Sequence, residues 1–163
     1  MNKRYVWIAS VIAAHFVLVG CTSDNQPERD VVNDPFSEAQ AEISEVIQSI
    51  RNDVKSANID GLQAIHLESD KFTKFGPRSF DRQDVTSTNQ SEAAFFSSVS
   101  ITEYEVTDLK IDVFGDIGIA TYYPQATFVN NGEEGKASGR QTLVLLKTQD
   151  GWKIVHEHGT PKN

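Results

Sequence analysis

The string His156-Glu157-His158 gathers more reactive side chains than any other stretch of this chain. On an extended strand, residues two apart point to one face. Both imidazoles would then share a side, with Glu157 pointing the opposite way. Imidazole titrates near neutral pH, so either histidine could serve as an acid or a base. Joined by His66 or Glu68, the pair would make a three-ligand metal site. The alternative is a structural pair, hydrogen-bonded at a sheet end or a subunit face. Tyr104, Tyr122 and Tyr123 add hydroxyls that could orient a ligand from a pocket wall. No nucleophile triad, phosphate-binding glycine loop or zinc cluster can be read from the spacing.

Elements must position these groups. Ile43, Val46, Ile47, Ile50 and Val54 recur at helical spacing between polar residues, and Ser37 and Gln40 fit a capping box. This predicts an amphipathic helix ending near Ala57-Asn58. Asp60-Gly61-Leu62-Gln63 signals a second, shorter helix that turns Leu62 and Ile65 inward. Phe72, Phe75 and Phe80 flank Gly76-Pro77, which suggests a short strand and a loop. Ser91–Phe96 suggests a third, brief helix.

After Tyr104 the texture becomes that of strands. Val106, Leu109, Ile111, Val113 and Phe114 run to a break at Gly115-Asp116, and a long strand follows from Gly118 to Val129. Asn130-Asn131-Gly132 is a hairpin turn. Arg140–Leu146 is the next strand, and Asp150-Gly151 turns into a last one from Trp152 to His158. Helices followed by a meander of antiparallel strands make an α+β layout. Such a sheet curls over its helices and leaves a concave pocket at one end.

The N-terminus is different in kind. Lys3 and Arg4 precede an apolar run from Tyr5 to Gly20, too short to span a bilayer comfortably and arranged as a secretory signal. Leu18-Val19-Gly20-Cys21 resembles a bacterial lipobox. That resemblance implies cleavage before Cys21, acylation of its thiol and a membrane anchor; Thr22, in place of Asp, implies the outer membrane facing the periplasm. Cys21 is the only cysteine, so an internal disulfide is excluded. Residues 1–20 are thus expected to be a signal peptide and 21–36 a lipidated, flexible tether. Residues 37–163 would be one folded domain. Losing the signal, with Lys3 and Arg4, moves the net charge from −8 to −10. That sign argues against nucleic acid as a partner.

Within the domain, three stretches resemble the nuclear transport factor 2-like (SnoaL-like) superfamily. They are Ala57-Asn58-Ile59-Asp60-Gly61-Leu62, Phe114–Ala120 and the pair formed by Arg140-Gln141-Thr142 with Trp152–His158. The resemblance implies a cone of about three N-terminal helices on a strongly curved antiparallel sheet. It turns Glu157 toward the pocket with Val155 and Leu143, beside Tyr104 and Tyr122. There a carboxylate in apolar surroundings would have a raised pKa and could act as a base; pairing with Arg140 or a lysine is the favoured alternative. Relatives share the His-Glu-His string without needing a metal, so neither metal nor cofactor is implied.

The superfamily's known sites do not carry over. Counting from the helix joint, the ketosteroid isomerase tyrosine falls on Ile50 and its base near Lys74 or Phe75. The arginines of the kinase association pocket fall near Pro124, Leu143 and Gly159. The expectation is therefore a lipid-anchored envelope domain that binds a small, largely apolar ligand or a protein partner without catalysis. The alternatives are a small-substrate isomerase, dehydratase or cyclase using Glu157, His156 or His158, and a structural homodimer.

Overall fold

The computed structural model describes residues 30–162 apart from Arg78. The expected signal peptide, Cys21 and most of the tether lie outside the described residues. Among those described, no helix is long and apolar enough to cross a membrane. Ordered structure begins ahead of Ser37: Asp30 accepts hydrogen bonds from Val32 and Asn33, and Phe36 is buried in the core.

The first helix, α1, spans Ser37–Ser56 and buries Ile43, Ile47 and Ile50. The expected Ser37–Gln40 capping box is not formed. Ser37 is already the first helical residue, no side chain caps the end, and Gln40 Nε2 donates to the Ile111 carbonyl at 3.1 Å. The helix stops where Ala57 turns left-handed at φ 52°, its amide and that of Asn58 closing back on Val54 and Asp53. Helix α2, Ile59–Ala64, is capped by Asn58, whose side chain accepts from the Gly61 amide; the cap is therefore Asn58 and not Asp60.

Strand β1 is only Thr73–Phe75. Helix α3 runs Val85–Ser98, starting well before the expected Ser91. Asp84 and Ser87 form a reciprocal capping box with Ser in the place usually held by Glu or Gln. Four long strands complete the domain: β2 Val99–Phe114, β3 Ile117–Asn130, β4 Glu133–Thr148 and β5 Gly151–Pro161. Positive φ at Asn131 (52°) and Gly132 (83°) makes the β3–β4 hairpin turn.

The sheet order is β1-β5-β4-β3-β2, antiparallel throughout except that β1 runs parallel to β5. Its concave side packs on α1 through Ile43, Ile47, Ile50, Val113, Ala120, Leu143, Leu145, Trp152 and Ile154. At Gly118 the approach leaves no room for a side chain: a Cβ would lie 2.3 Å from Ile43 Cδ1. Trp152 Nε1 donates to Glu42 Oε2 at 2.7 Å, fixing the start of β5 to α1. The α+β cone expected from the sequence is the fold observed. Phe72 belongs to its core, whereas Phe80 is 100% exposed.

Candidate functional site

Parallel pairing of β1 with β5 sets Thr73 opposite His156, Lys74 opposite Glu157 and Phe75 opposite His158. Alternation then sorts the six side chains onto two faces. Thr73, Phe75 and both histidines occupy the outer face. There Thr73 Oγ1 lies 2.8 Å from His156 Nδ1, and the Phe75 ring meets the two imidazoles edge-on at 5.9 and 6.1 Å. His156 and His158 do share a side, but they are separated from His66, so the three-ligand set that joined them is not assembled.

Lys74 and Glu157 occupy the inner face. Lys74 Nζ sits 3.0 Å from Glu157 Oε1 and 2.6 Å from Glu92 Oε1, the latter delivered by α3. Gln141, on β4, donates from Nε2 to Glu157 Oε1 at 2.8 Å. Behind α2, His66 is buried against Phe72; its Nδ1 lies 2.9 Å from Asn89 Oδ1 and its Nε2 3.7 Å from Glu157 Oε2. With Asn89 as acceptor, Nδ1 carries the proton and Nε2 faces the carboxylate. One ammonium, two carboxylates, an imidazole and two amides thus converge on the floor of the cone.

Their protonation follows from mutual charge. Burial pushes the Glu157 carboxyl up, but the Lys74 ammonium and the His66 ring together outweigh it and bring its pKa to about 2. Burial pulls Lys74 down, and Glu157 and Glu92 more than offset this, so its pKa is raised. The balance for His66 is similar: burial lowers its pKa, and the Glu157 carboxylate 3.7 Å from Nε2, with the nearby Glu92 charge and the Asn89 contact, raises it overall. A carboxylate held near 2 is a weak base at neutral pH. The raised pKa that an apolar cavity would give Glu157 is therefore not found, because a lysine is its partner. Arg140 instead bonds Thr160 Oγ1 through Nε at 2.8 Å.

The side chains of Tyr104 and Tyr122 neighbour each other. Burial lifts Tyr104 to about 12 and Tyr122 well above its ordinary value, so both remain neutral. Tyr104 lines an apolar cleft of about 420 Å³ with Pro77, Pro124, Ala126, Gly159 and Gln141. A second, more polar cleft of about 390 Å³ is lined by Lys74, Glu92, Gln83, Ser91 and Phe95, and it also meets Pro77. Tyr122 (4% exposed) and Leu143 (2%) belong to the core, and Tyr122 also borders a third cleft with Tyr123, Gln141 and His158. A bulge pairs Leu145 with Ile154 and Val144 with His156, leaving Val155 without a partner. The inward alternation therefore passes from Ile154 to Glu157 and skips Val155.

Sequence reasoning missed Lys74, Glu92 and Asn89 as members of this floor. The signal for Lys74 is a single cation in a three-residue strand, and counting from the helix joint puts an isomerase base near Lys74 or Phe75. A cation cannot be that base, and Ile50, at the tyrosine position, is core. Pro124 and Gly159, at two of the arginine positions, line the apolar cleft without charge, and its lining cation is Arg140.

N-terminal helices packed on a curved, mostly antiparallel five-stranded sheet make the nuclear transport factor 2-like fold. The SnoaL-like domain profile matches residues 43–161, and the chain belongs to that family. None of the curated proteins matches it in sequence. Among solved structures it is similar to a nuclear transport factor 2-like superfamily protein from Salmonella enterica serovar Typhimurium. That match has 21% identity and a TM-score of 0.68, over 78% of this chain and 93% of that one. A ketosteroid isomerase-like protein from Erwinia carotovora atroseptica matches at 17% identity and TM-score 0.65, over 78% and 99%. A nuclear transport factor 2-like protein of unknown function in nutrient uptake from Rhodospirillum rubrum matches at 17% and 0.63, over 74% and 98%.

Proposed function

We propose that this chain is a lipid-anchored envelope module that binds a small, largely apolar molecule at the mouth of the cone and does not transform it. The observation that carries the binding reading is the state of Glu157. Its carboxylate is already engaged by Lys74 and Gln141 and has a pKa of about 2, so the strongest candidate base is committed to holding the floor together. The apolar cleft beside Tyr104 is large enough for a ring-sized ligand. The isomerase-like neighbour shares the fold; the charge arrangement here supports retention of a ligand over proton abstraction. Native mass spectrometry of the domain after Cys21, produced in its own envelope and purified gently, tests this. An adduct lost on denaturation is the expected result, and turnover of any member of a broad metabolite panel would overturn it.

The anchor rests on the signal-like run and the lipobox-like Leu18–Cys21. Replacing Cys21 with Ser is expected to leave the precursor uncut and release the domain from membranes; a processed, membrane-bound variant would refute the anchor. Self-association through the outer sheet face is supported by exposed Phe75 beside His156 and His158, and by exposed Tyr123, which shares a cleft with His158. Sedimentation at micromolar concentration is expected to give a dimer, and a monomer would remove that part of the reading.

A further inference from the structure

We propose that the polar cleft selects ligands whose head group is uncharged and both donates and accepts hydrogen bonds, such as a primary amide or a lactam. It is expected to reject carboxylates and ammonium groups. The inference rests on the binding reading above and names the chemistry of the ligand's polar end.

Lys74 carries three N–H bonds; Glu92 takes one, the Glu157 carboxylate pairs with the ammonium at 3.0 Å, and at least one N–H is left. Glu92 uses Oε1 for that contact, and its Oε2 has no partner among the described residues. Lys74 and Glu92 both line the cleft of about 390 Å³, so one donor and one acceptor stand side by side on its wall. Gln83 and Ser91, bonded to each other at 3.3 Å, continue the wall, and Phe95 and Pro77 supply its apolar part. An amide meets both groups at once: its carbonyl accepts from Lys74 and its N–H donates to Glu92.

Charge sharpens the choice. The wall ammonium is flanked by two carboxylates, Glu92 beside it and Glu157 behind it. An incoming carboxylate reaches one positive charge and is repelled by two negative ones. An incoming ammonium is drawn to Glu92 but must sit against Lys74. Both also give up hydration on entering a half-buried site, which a neutral amide surrenders at much lower cost. Pro77 borders this cleft and the apolar one beside Tyr104, so a ligand's body and head would divide between the two.

The test uses three probes with one apolar body: 2-naphthamide, 2-naphthoate and 2-naphthylmethylammonium, titrated calorimetrically into the purified chain near neutral pH. The amide is expected to bind at least ~10-fold tighter than either ion, the scale set by one good polar interaction. In Glu92→Gln, the amide–naphthoate gap should shrink to about 3-fold or less, because one repelling charge is gone. Naphthoate or the ammonium binding as tightly as the amide to the unmutated chain would overturn the head-group rule while leaving a ligand pocket. No binding by any of the three would overturn the binding reading itself, and this inference with it. The ranking on the unmutated chain decides the matter even should Glu92→Gln fail to fold.

Discussion

Lys74 and Glu157 are register partners across the parallel β1–β5 pair, and their charges meet at 3.0 Å on the inner face of the sheet. Removing one member of a buried pair strands the other. Lys74→Met is therefore expected to destabilise the fold by about 3 kcal/mol in urea unfolding. Adding Glu157→Gln should recover at least half of that loss. A cost of the single change below about 1 kcal/mol would mean the pair is not coupled to folding.

The acid limb of stability should belong largely to Glu157. Its carboxyl falls from 4.5 to about 2 on folding. The stabilisation it gives is present above 4.5 and is lost as pH falls toward 2, amounting to about 3 kcal/mol. His66 has the opposite sign: its raised pKa contributes stability below 6.5 that is lost as pH rises through the folded value. Urea midpoints for wild type should fall steeply at acid pH, and Glu157→Gln should flatten that limb. An unchanged acid limb in the variant would refute the assignment.

Gly118 on β3 lies directly against Ile43 of α1. A Cβ there would meet Ile43 Cδ1 at 2.3 Å, with Trp152 at 3.6 Å. Gly118→Ala should cost about 2 kcal/mol by overpacking. Ile43→Val removes the colliding methyl, so the double variant should be more stable than the two single costs predict, with a coupling of about 1 kcal/mol. Additive costs in denaturant titration would show that the contact is relieved some other way.

Thr88 is fully buried in α3, and its hydroxyl has no hydrogen-bond partner among the described residues. Thr88→Val keeps the shape and removes the polar atom, so stability should be unchanged or rise by about 1 kcal/mol. A loss above about 1 kcal/mol would point to a polar contact that the hydroxyl makes in solution.

The sequence showed the cone more readily than its floor. Ile43, Ile47 and Ile50 repeat at helical spacing and lie one above another on α1, so that helix could be read directly. The outer parts of the long hairpins could not. Glu133, Glu134 and Lys136 are exposed, so β4 lacks the apolar alternation that reveals a half-buried strand and was seen only from Arg140 onward. The beginning of α3 was hidden because Asp84 is answered by Ser87 and not by a glutamate or glutamine. Glu157 was recognised as inward-facing, but the bulge at Val155 breaks the simple parity along β5. Lys74 owes its place to a pairing with a strand more than eighty residues away, and no local pattern encodes that.

β5 is the last of the described strands in sequence order, yet it lies inside the sheet, between β1 and β4. This imposes an order on synthesis. While the chain is still emerging, β1 has no strand to dock on, and Lys74 has only Glu92 of its two carboxylate partners. The polar floor can close only after residue 157 is available, through contacts remote in sequence that form late and slowly. A chain ending before Gly151 would therefore lose more than an edge. It would lose the element that joins the two halves of the polar floor.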